Sequence, residues 1–419
     1  MTLPHPSEKP ISPLSLRLAW FAVVLLFPVA LLNYLDRQML ATMKASMVLD
    51  IPSIKNKADW GMALACFKWS YAILSPFAGY VADRVSKRMV ICSSLLVWSA
   101  VTWWTGHVST FHELIAARAM MGVSEAFYIP TALALIAEYH VGATRSRAVG
   151  LHQAGIYLGQ ILGGFAGYIA DSPAHGWRWA FSLCGLIGVI YAVPLFALLR
   201  DAKRSNLESN DNVTPAENVF KGLLGNRNFL LLLLYFTLPA IAGWVVRDWM
   251  PDILKEKFGL GQGKAGMNAI LFVQISALVG AIVGGTLADR WMRTTPRGRI
   301  FTSAIGMMLF LPALFSVGNA SSLGIAVIGL IVFGFGWGLF DCNNMPILCQ
   351  IARPQWRATG YGIMNLVSIS CGGFGDWAFG ALRDRHVPLN IIFAVFAGVA
   401  LVSVLVVLLI KPNDANEKP

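Results

Sequence analysis

Gly79-Tyr80-Val81-Ala82-Asp83-Arg84 and Gly285-Thr286-Leu287-Ala288-Asp289-Arg290 repeat one pattern 206 residues apart. Each copy follows a long apolar run and precedes more basic residues, Lys87 and Arg88 in one case, Arg293 and Arg297 in the other. Two further echoes keep nearly the same offset. Arg147-Ala148-Val149-Gly150 matches Arg357-Ala358-Thr359-Gly360 at 210, and Gly163-Gly164-Phe165 matches Gly372-Gly373-Phe374 at 209. Self-similarity at one long offset implies two copies of a single structural unit arranged in parallel.

The chain on either side of these landmarks is apolar. Of its 419 residues, 56% are hydrophobic and 13% charged, about half the charge of a globular domain. That composition excludes a disordered chain and argues against a soluble enzyme. A helix needs about 20 apolar residues to cross a hydrocarbon core. Windows of that kind fall at roughly 18–42, 59–81, 89–107, 110–139, 146–170 and 178–199, then at 228–250, 265–288, 299–317, 322–349, 358–381 and 389–410. The expected architecture is an all-α membrane protein of twelve transmembrane helices. A tail over 1–17 leads into a six-helix bundle over 18–199, a hydrophilic linker over 200–227, a second six-helix bundle over 228–410 and a tail over 411–419. Two parallel six-helix repeats are the build of carriers that rock about a midplane site.

Net charge is +11, yet the basic residues sit mostly in short loops, which points to membrane topology and not to nucleic acid. With twelve spans both termini share a side, and that side holds twenty Lys and Arg against eight on the other. The bias places the termini in the cytoplasm of a plasma membrane, expected to be a bacterial inner membrane. The first span has no small-residue cleavage site before Asn33 and reads as retained. The six cysteines, at 66, 92, 184, 342, 349 and 371, all lie in apolar segments, where they pack as small hydrophobes. Cys342 and Cys349 share a helix face, but no ligand set accompanies them, and no metal site is expected. No ATP loop, nucleophile elbow or metalloprotease helix is present, so the chain reads as a non-enzyme without a cofactor.

Twelve spans, a central loop and paired Gly-x-x-x-Asp-Arg loops followed by basic residues resemble the major facilitator superfamily over nearly the whole chain. Asn33-Tyr34-Leu35-Asp36-Arg37 in the first span, with Arg118-x-x-x-Gly122-x-x-Glu125 and Pro130 in the fourth, resemble the anion:cation symporters, which include sugar-acid, hexuronate and sialic-acid carriers. Asp83-Arg84-Val85-Ser86-Lys87-Arg88 lacks the glycine those symporters carry after Asp-Arg, and with Trp177-Arg178-Trp179-Ala180-Phe181 it is also similar to the Spinster lipid carriers. Gly155-x-x-x-Gly159-Gln160-x-x-Gly163-Gly164 resembles the signature of drug and proton antiporters except that Gln160 replaces their proline, which counts against efflux.

Charges inside the hydrocarbon region cost roughly 2.5 to 3.5 kcal/mol each on insertion scales, so they mark function. Asp36 and Arg37 are about 100° apart on their helix. One can face a cavity while the other meets a neighbouring helix. The expected roles are Arg37 on a substrate carboxylate, because a guanidinium forks onto two oxygens, and Asp36 as a proton site, with Asn33 and Tyr34 beside them. Arg118, Gly122 and Glu125 share one face. Their reading is an Arg118–Glu125 pair opened when Glu125, drawn out of water and so easier to protonate, takes a proton. Lys68, on a face with Tyr71, is either a second cation for the substrate or a partner of Glu125 or Asp36. Gln153, Tyr157 and Gln160 offer amides and a phenol to hydroxyls. His152 reads as packing. In the tenth span Trp337, Asp341 and Asn344 form one stripe near Pro346, where the helix is expected to loosen, with Trp337 and Asn344 offered to the ligand and Asp341 to gating. Asn365 joins from the eleventh span, and Asp376 reads as a gate or packing ion. Arg247-Asp248 reads as an interfacial pair ending the seventh span. Asp83, Arg84, Asp289 and Arg290 read as cytoplasmic locks.

These residues imply proton-driven uptake of a small organic anion, foremost a sugar acid such as a hexuronate, aldonate or sialic acid, by a monomer in the bilayer. The alternatives are a Spinster-like carrier of lysolipid or amphiphile, a facilitated sugar uniporter and a non-transporting sensor.

Overall fold

A backbone crossing hydrocarbon must satisfy every N–H and C=O internally, and helices do so within one segment. A computed structural model describes residues 13–140, 144–201, 216–353 and 356–412. They form α1 (Pro13–Thr42), α2 (Lys44–Asp50), α3 (Lys57–Arg84), α4 (Lys87–Thr105), α5 (Phe111–Glu125), α6 (Tyr128–Tyr139), α7 (Arg145–Phe165), α8 (Gly167–Ala170) and α9 (Gly176–Leu198). After the short α10 (Ala216–Leu224) come α11 (Arg227–Phe258), α12 (Gln262–Met292), α13 (Gly298–Asn319), α14 (Leu323–Asp341), α15 (Asn344–Ile351), α16 (Arg357–Asp384) and α17 (Leu389–Leu409). The pairs α5/α6, α7/α8 and α14/α15 each continue one rod, which gives twelve rods among the described residues. Eight of these are long and apolar enough to cross a membrane by length and composition alone. The other four include α3, α7 and α16, which carry their polar residues into the seam between the halves.

The fourth and tenth rods break at matching places. α5 yields to α6 at Ala126–Phe127, and α14 to α15 at Cys342–Asn343, each break followed by a proline three residues into the new helix, Pro130 and Pro346. Proline lacks an N–H but is tolerated in a first turn, whose donors are free anyway. The loosening expected at Pro346 is a local interruption at Cys342–Asn343 whose backbone stays right-handed, and its repeat-mate in the first half has one too.

The halves meet along α3 with α16 and along α7 with α12. Backbones touch at Gly61, where a Cβ would lie 2.5 Å from the Asp376 carbonyl oxygen, so only glycine fits there. Contact concentrates at the end of the bundle away from the chain termini, here called the far end. Asp384, at the end of α16, accepts hydrogen bonds from the Lys57 and Ala58 amides that open α3, at 2.9 and 2.8 Å. Asp171, after α8, accepts from the Gly263 amide and the Gln262 side chain that open α12, both at 3.0 Å. Each half thus supplies a carboxylate to a helix N-terminus of the other, where orphan amides and the helix dipole favour negative charge. Lys44 pairs with Asp252, and Lys57 with Glu256 at 2.5 Å, across the same end. At the near end Asp289 and Arg290 are exposed and make no ion pair among the described residues. The side chains of Asp83 and Arg84 lie outside the described residues.

Candidate functional site

α1 separates its adjacent charges as the helix geometry requires. Asp36, 1% exposed, turns towards α4, where the Thr102 hydroxyl donates to it at 2.9 Å. Arg37 turns inward. Its Nε donates to Glu125 of α5 at 2.5 Å and a terminal nitrogen donates to Asn33, one turn back, at 3.1 Å. Tyr34, Phe67 and Tyr71 pack their rings on the guanidinium at 4.7, 4.7 and 5.1 Å. Glu125 is fully buried, and its second carboxylate oxygen has no partner.

Beside this cluster lies a small cavity lined by Tyr34, Arg37, Gln38, Leu64, Phe67, Lys68, Arg118, Gln160, Trp244, Arg247 and Asp248. Four of these residues are cations and one is an acid. Lys68 of α3 is paired twice, to Asp248 of α11 at 2.5 Å and to Asp376 of α16, both in the other half. Arg37 is paired to Glu125. Arg118 and Arg247 have no carboxylate within ion-pair distance among the described residues. Arg118, 2% exposed, touches the Met121 sulfur and lies over the Phe67 ring at 4.5 Å. Arg247 lies over Trp244 at 5.0 Å. For Arg118 a buried cation without a counter-ion costs several kcal/mol, of which an aromatic face returns about 0.5 to 2, whereas Arg247 is half-buried. The deficit is largely relieved if an anion enters the cavity, because guanidinium forks match carboxylate and phosphate oxygens.

The structure regroups several expected pairs. Glu125 is not on Arg118: seven residues of helix rise about 10 Å, too far for a direct pair, whereas Arg37 reaches Glu125 from the neighbouring rod. Lys68 meets neither Glu125 nor Asp36, because α3 packs against the opposite half. Arg247 and Asp248 do not end a span at the interface; α11 continues through Pro251 to Phe258 and leaves them inside. Of the residues expected at a ligand, Tyr34, Arg37, Lys68, Arg118 and Gln160 line the cavity, and Asn33 and Tyr71 hold Arg37. Gln153, Tyr157 and Asn365 are half-buried elsewhere on α7 and α16. Trp337 packs among Phe310, Phe333 and Phe340 at 6.1, 6.1 and 5.4 Å, against Gly243, and not on the cavity wall. Asn344 is buried and hydrogen-bonds Asp341 at 3.5 Å, while Asp341 is exposed at the helix break. His152 bonds the Tyr128 hydroxyl at 2.9 Å, a packing contact. The wall residues not anticipated are Gln38, Leu64, Phe67, Trp244, Arg247 and Asp248. The charged pair in this set carried a signal, since an Arg-Asp dipeptide ahead of an amphipathic continuation need not close its helix.

A family model described as Major Facilitator Superfamily matches residues 26–376. Protein spinster of Drosophila melanogaster is 27% identical over 393 residues, which is 89% of this chain and 64% of that protein. Protein spinster homolog 1 of Homo sapiens is 27% identical over 388 residues, 87% of this chain and 72% of the relative. Among solved structures, a bacterial homolog to human lysosomal transporter Spinster, in inward-facing and unoccupied conformation, superposes with a TM-score of 0.74 at 18% identity, covering 96% of both chains. A D-xylose-proton symporter gives 0.72 at 16% identity, over 95% of this chain and 99% of the other.

Proposed function

The chain belongs to the major facilitator superfamily and is a multi-pass membrane transporter, and from that premise we propose that it couples protons to the uptake of an organic anion. The observation that carries this reading is the pair of arginines, Arg118 and Arg247, lining the cavity without a carboxylate. The substrate's anionic group sits between them. Leu64, Phe67 and Trp244 complete that wall with apolar surface, which suits an amphiphile. The similarity to spinster proteins supports the same choice, the alternative weighed from the sequence, over a sugar acid. Tyr34, Gln38 and Gln160 on the same wall keep the sugar acid as the second reading, because phenol and amides suit hydroxyls.

Coupling follows from charge balance around Arg37. With Glu125 ionised, Arg37 is held by it and by the aromatic rings. A proton on Glu125 removes the ion pair, frees the guanidinium towards the cavity and raises local positive charge by one, so anion and proton bind together. Asp36, whose second oxygen has no partner, is the other proton site. The far end is closed, so exchange in this conformation runs through the near end, which the charge bias makes cytoplasmic.

Proteoliposomes under an inward proton gradient test the proposal with two probes, a lysophospholipid bearing an anionic headgroup and glucuronate. Gradient-driven accumulation of the first and not the second is expected. Accumulation of glucuronate alone reverses the substrate class. Movement indifferent to the gradient makes the protein a uniporter, and movement of neither probe or any other anion leaves a sensor.

A further inference from the structure

The Lys68 cluster is divided unequally between the halves. Lys68 belongs to the first half; both its carboxylates, Asp248 and Asp376, belong to the second and sit close enough together to bind one ammonium. Asp376 is fully buried and its second oxygen has no partner. The other charged groups facing this place are Arg37 of α1, Arg118 of α5 and Arg247 of α11, all on the cavity wall. No histidine lines that wall among the described residues. Further out lie the Lys44–Asp252 and Lys57–Glu256 pairs.

Alternating access moves the halves as bodies. When the far end opens, Asp248 and Asp376 stay together on α11 and α16 while Lys68 withdraws on α3. Two carboxylates that share a site cannot both stay ionised without a cation. We propose that this pair is a second proton site, loaded from far-side water when Lys68 leaves and emptied when Lys68 returns as a tethered cation. On opening, one carboxylate oxygen gains an O–H bond from a water-borne proton. On closing, that bond breaks, the proton passes to cavity water, and the ammonium takes its place. The proton belongs to the pair and not to either residue. This inference rests on the proposed proton-coupled transport, but it places a coupling site in the half opposite Glu125 and Asp36.

The test uses the full chain in nanodiscs without substrate, with spin labels at the exposed far-end positions Lys55 and Arg385. The open-to-closed ratio is read from the label distances as pH is varied. Uptake of one proton on opening makes that ratio rise about tenfold per unit fall in pH, in addition to any contribution that Glu125→Gln removes. Asp376→Asn deletes the pair, and Lys68→Met leaves the pair protonated in both states, so each should lose the tenfold slope although they remove opposite charges. A mere latch behaves otherwise: both variants would open the gate and keep the wild-type slope, which overturns the proposal. A slope that follows sodium and not pH also overturns it. If Lys68→Met does not fold, the exchanged variant Lys68→Asp with Asp376→Lys keeps the ion pair but puts the mobile cation on the other half, and a preserved wild-type slope there refutes the displacement. Label distances that never change at any pH remove alternating access itself, an outcome distinct from a moving gate without the slope.

Discussion

Arg37 and Arg118 look alike in the sequence, each a buried arginine with a carboxylate on its own or the next helix, but they hold opposite balances. Arg37 is compensated by Glu125, Asn33 and three rings; Arg118 has a sulfur and one ring. Arg118→Met should therefore raise the melting temperature of the substrate-free protein, because an uncompensated buried ion carries a desolvation penalty of several kcal/mol that an apolar side chain of similar reach does not. The same change should abolish stabilisation by an anionic ligand. A thermal-shift series with and without ligand reads both, and a destabilised empty variant would mean that Arg118 has a counter-ion in the membrane. Arg37→Lys keeps charge but loses the fork, and ligand binding should weaken by roughly 1.5 to 3 kcal/mol while accumulation still follows the proton gradient. Glu125→Gln should do the reverse, sparing exchange but ending gradient-driven accumulation, and wild-type pH dependence in that variant would reduce Glu125 to packing. The sequence disclosed these charges because a membrane leaves few reasons for them. It could not disclose their partners, since helical spacing fixes a face and not the neighbour that face meets: Glu125 went to α1, and Lys68 to the other half of the molecule.

Helices were legible down to a few residues wherever apolar runs end in Gly or loop charges, and misread where a helix carries its charges onward. α11 is the instructive case. Pro251, Asp252, Lys255, Glu256 and Lys257 look like the start of a loop, yet α11 keeps helical geometry to Phe258 and stops at Gly259, whose φ of 64° few other residues adopt. The helix persists because the other half answers two of those charges, Asp252 with Lys44 and Glu256 with Lys57. The reciprocal caps are a similar device between elements. Asp384, which caps α3, and Asp171, which caps α12, end corresponding elements of the two halves, so neutralising either should loosen the far end to a similar degree. A carboxylate at a helix N-terminus contributes about 0.3 to 1 kcal/mol, so Asp384→Asn and Asp171→Asn should each shift the open-to-closed ratio by roughly two- to fivefold towards open. Asp50→Asn is the control, since Asp50 faces Trp177 and Arg178 of its own half at 2.8 and 3.8 Å and should leave the ratio unchanged. An effect from only one of the two caps would break the symmetry argument.

At the scale of the whole molecule the repeat announced two halves, and the apolar windows announced their spans, because lipid imposes both helix length and charge placement on every residue that crosses it. The state in which the halves are found was not written there. It is set by pairings between halves, which among the described residues include two caps, two outer ion pairs and the Lys68 cluster, and which no periodicity reports. Orientation is the remaining global property, and it decides whether the machinery imports or exports. Twenty basic residues on the side of the termini against eight on the other predict a cytoplasmic near end. A membrane-impermeant maleimide applied to intact cells should label Lys55→Cys, exposed at the far end, and leave Thr294→Cys, exposed at the near end, unlabelled until the cells are opened. The native cysteines are all buried or half-buried, so the unsubstituted chain sets a low background. Both positions are exposed in the conformation described here, Lys55 with the far end closed, so opening of that end only uncovers Lys55 further. Labelling of Thr294→Cys from outside would invert the molecule. The closed far end would then face the cytoplasm, an inward proton gradient would load Glu125 in the state seen here, and the anion would have to be captured through the end bearing the termini.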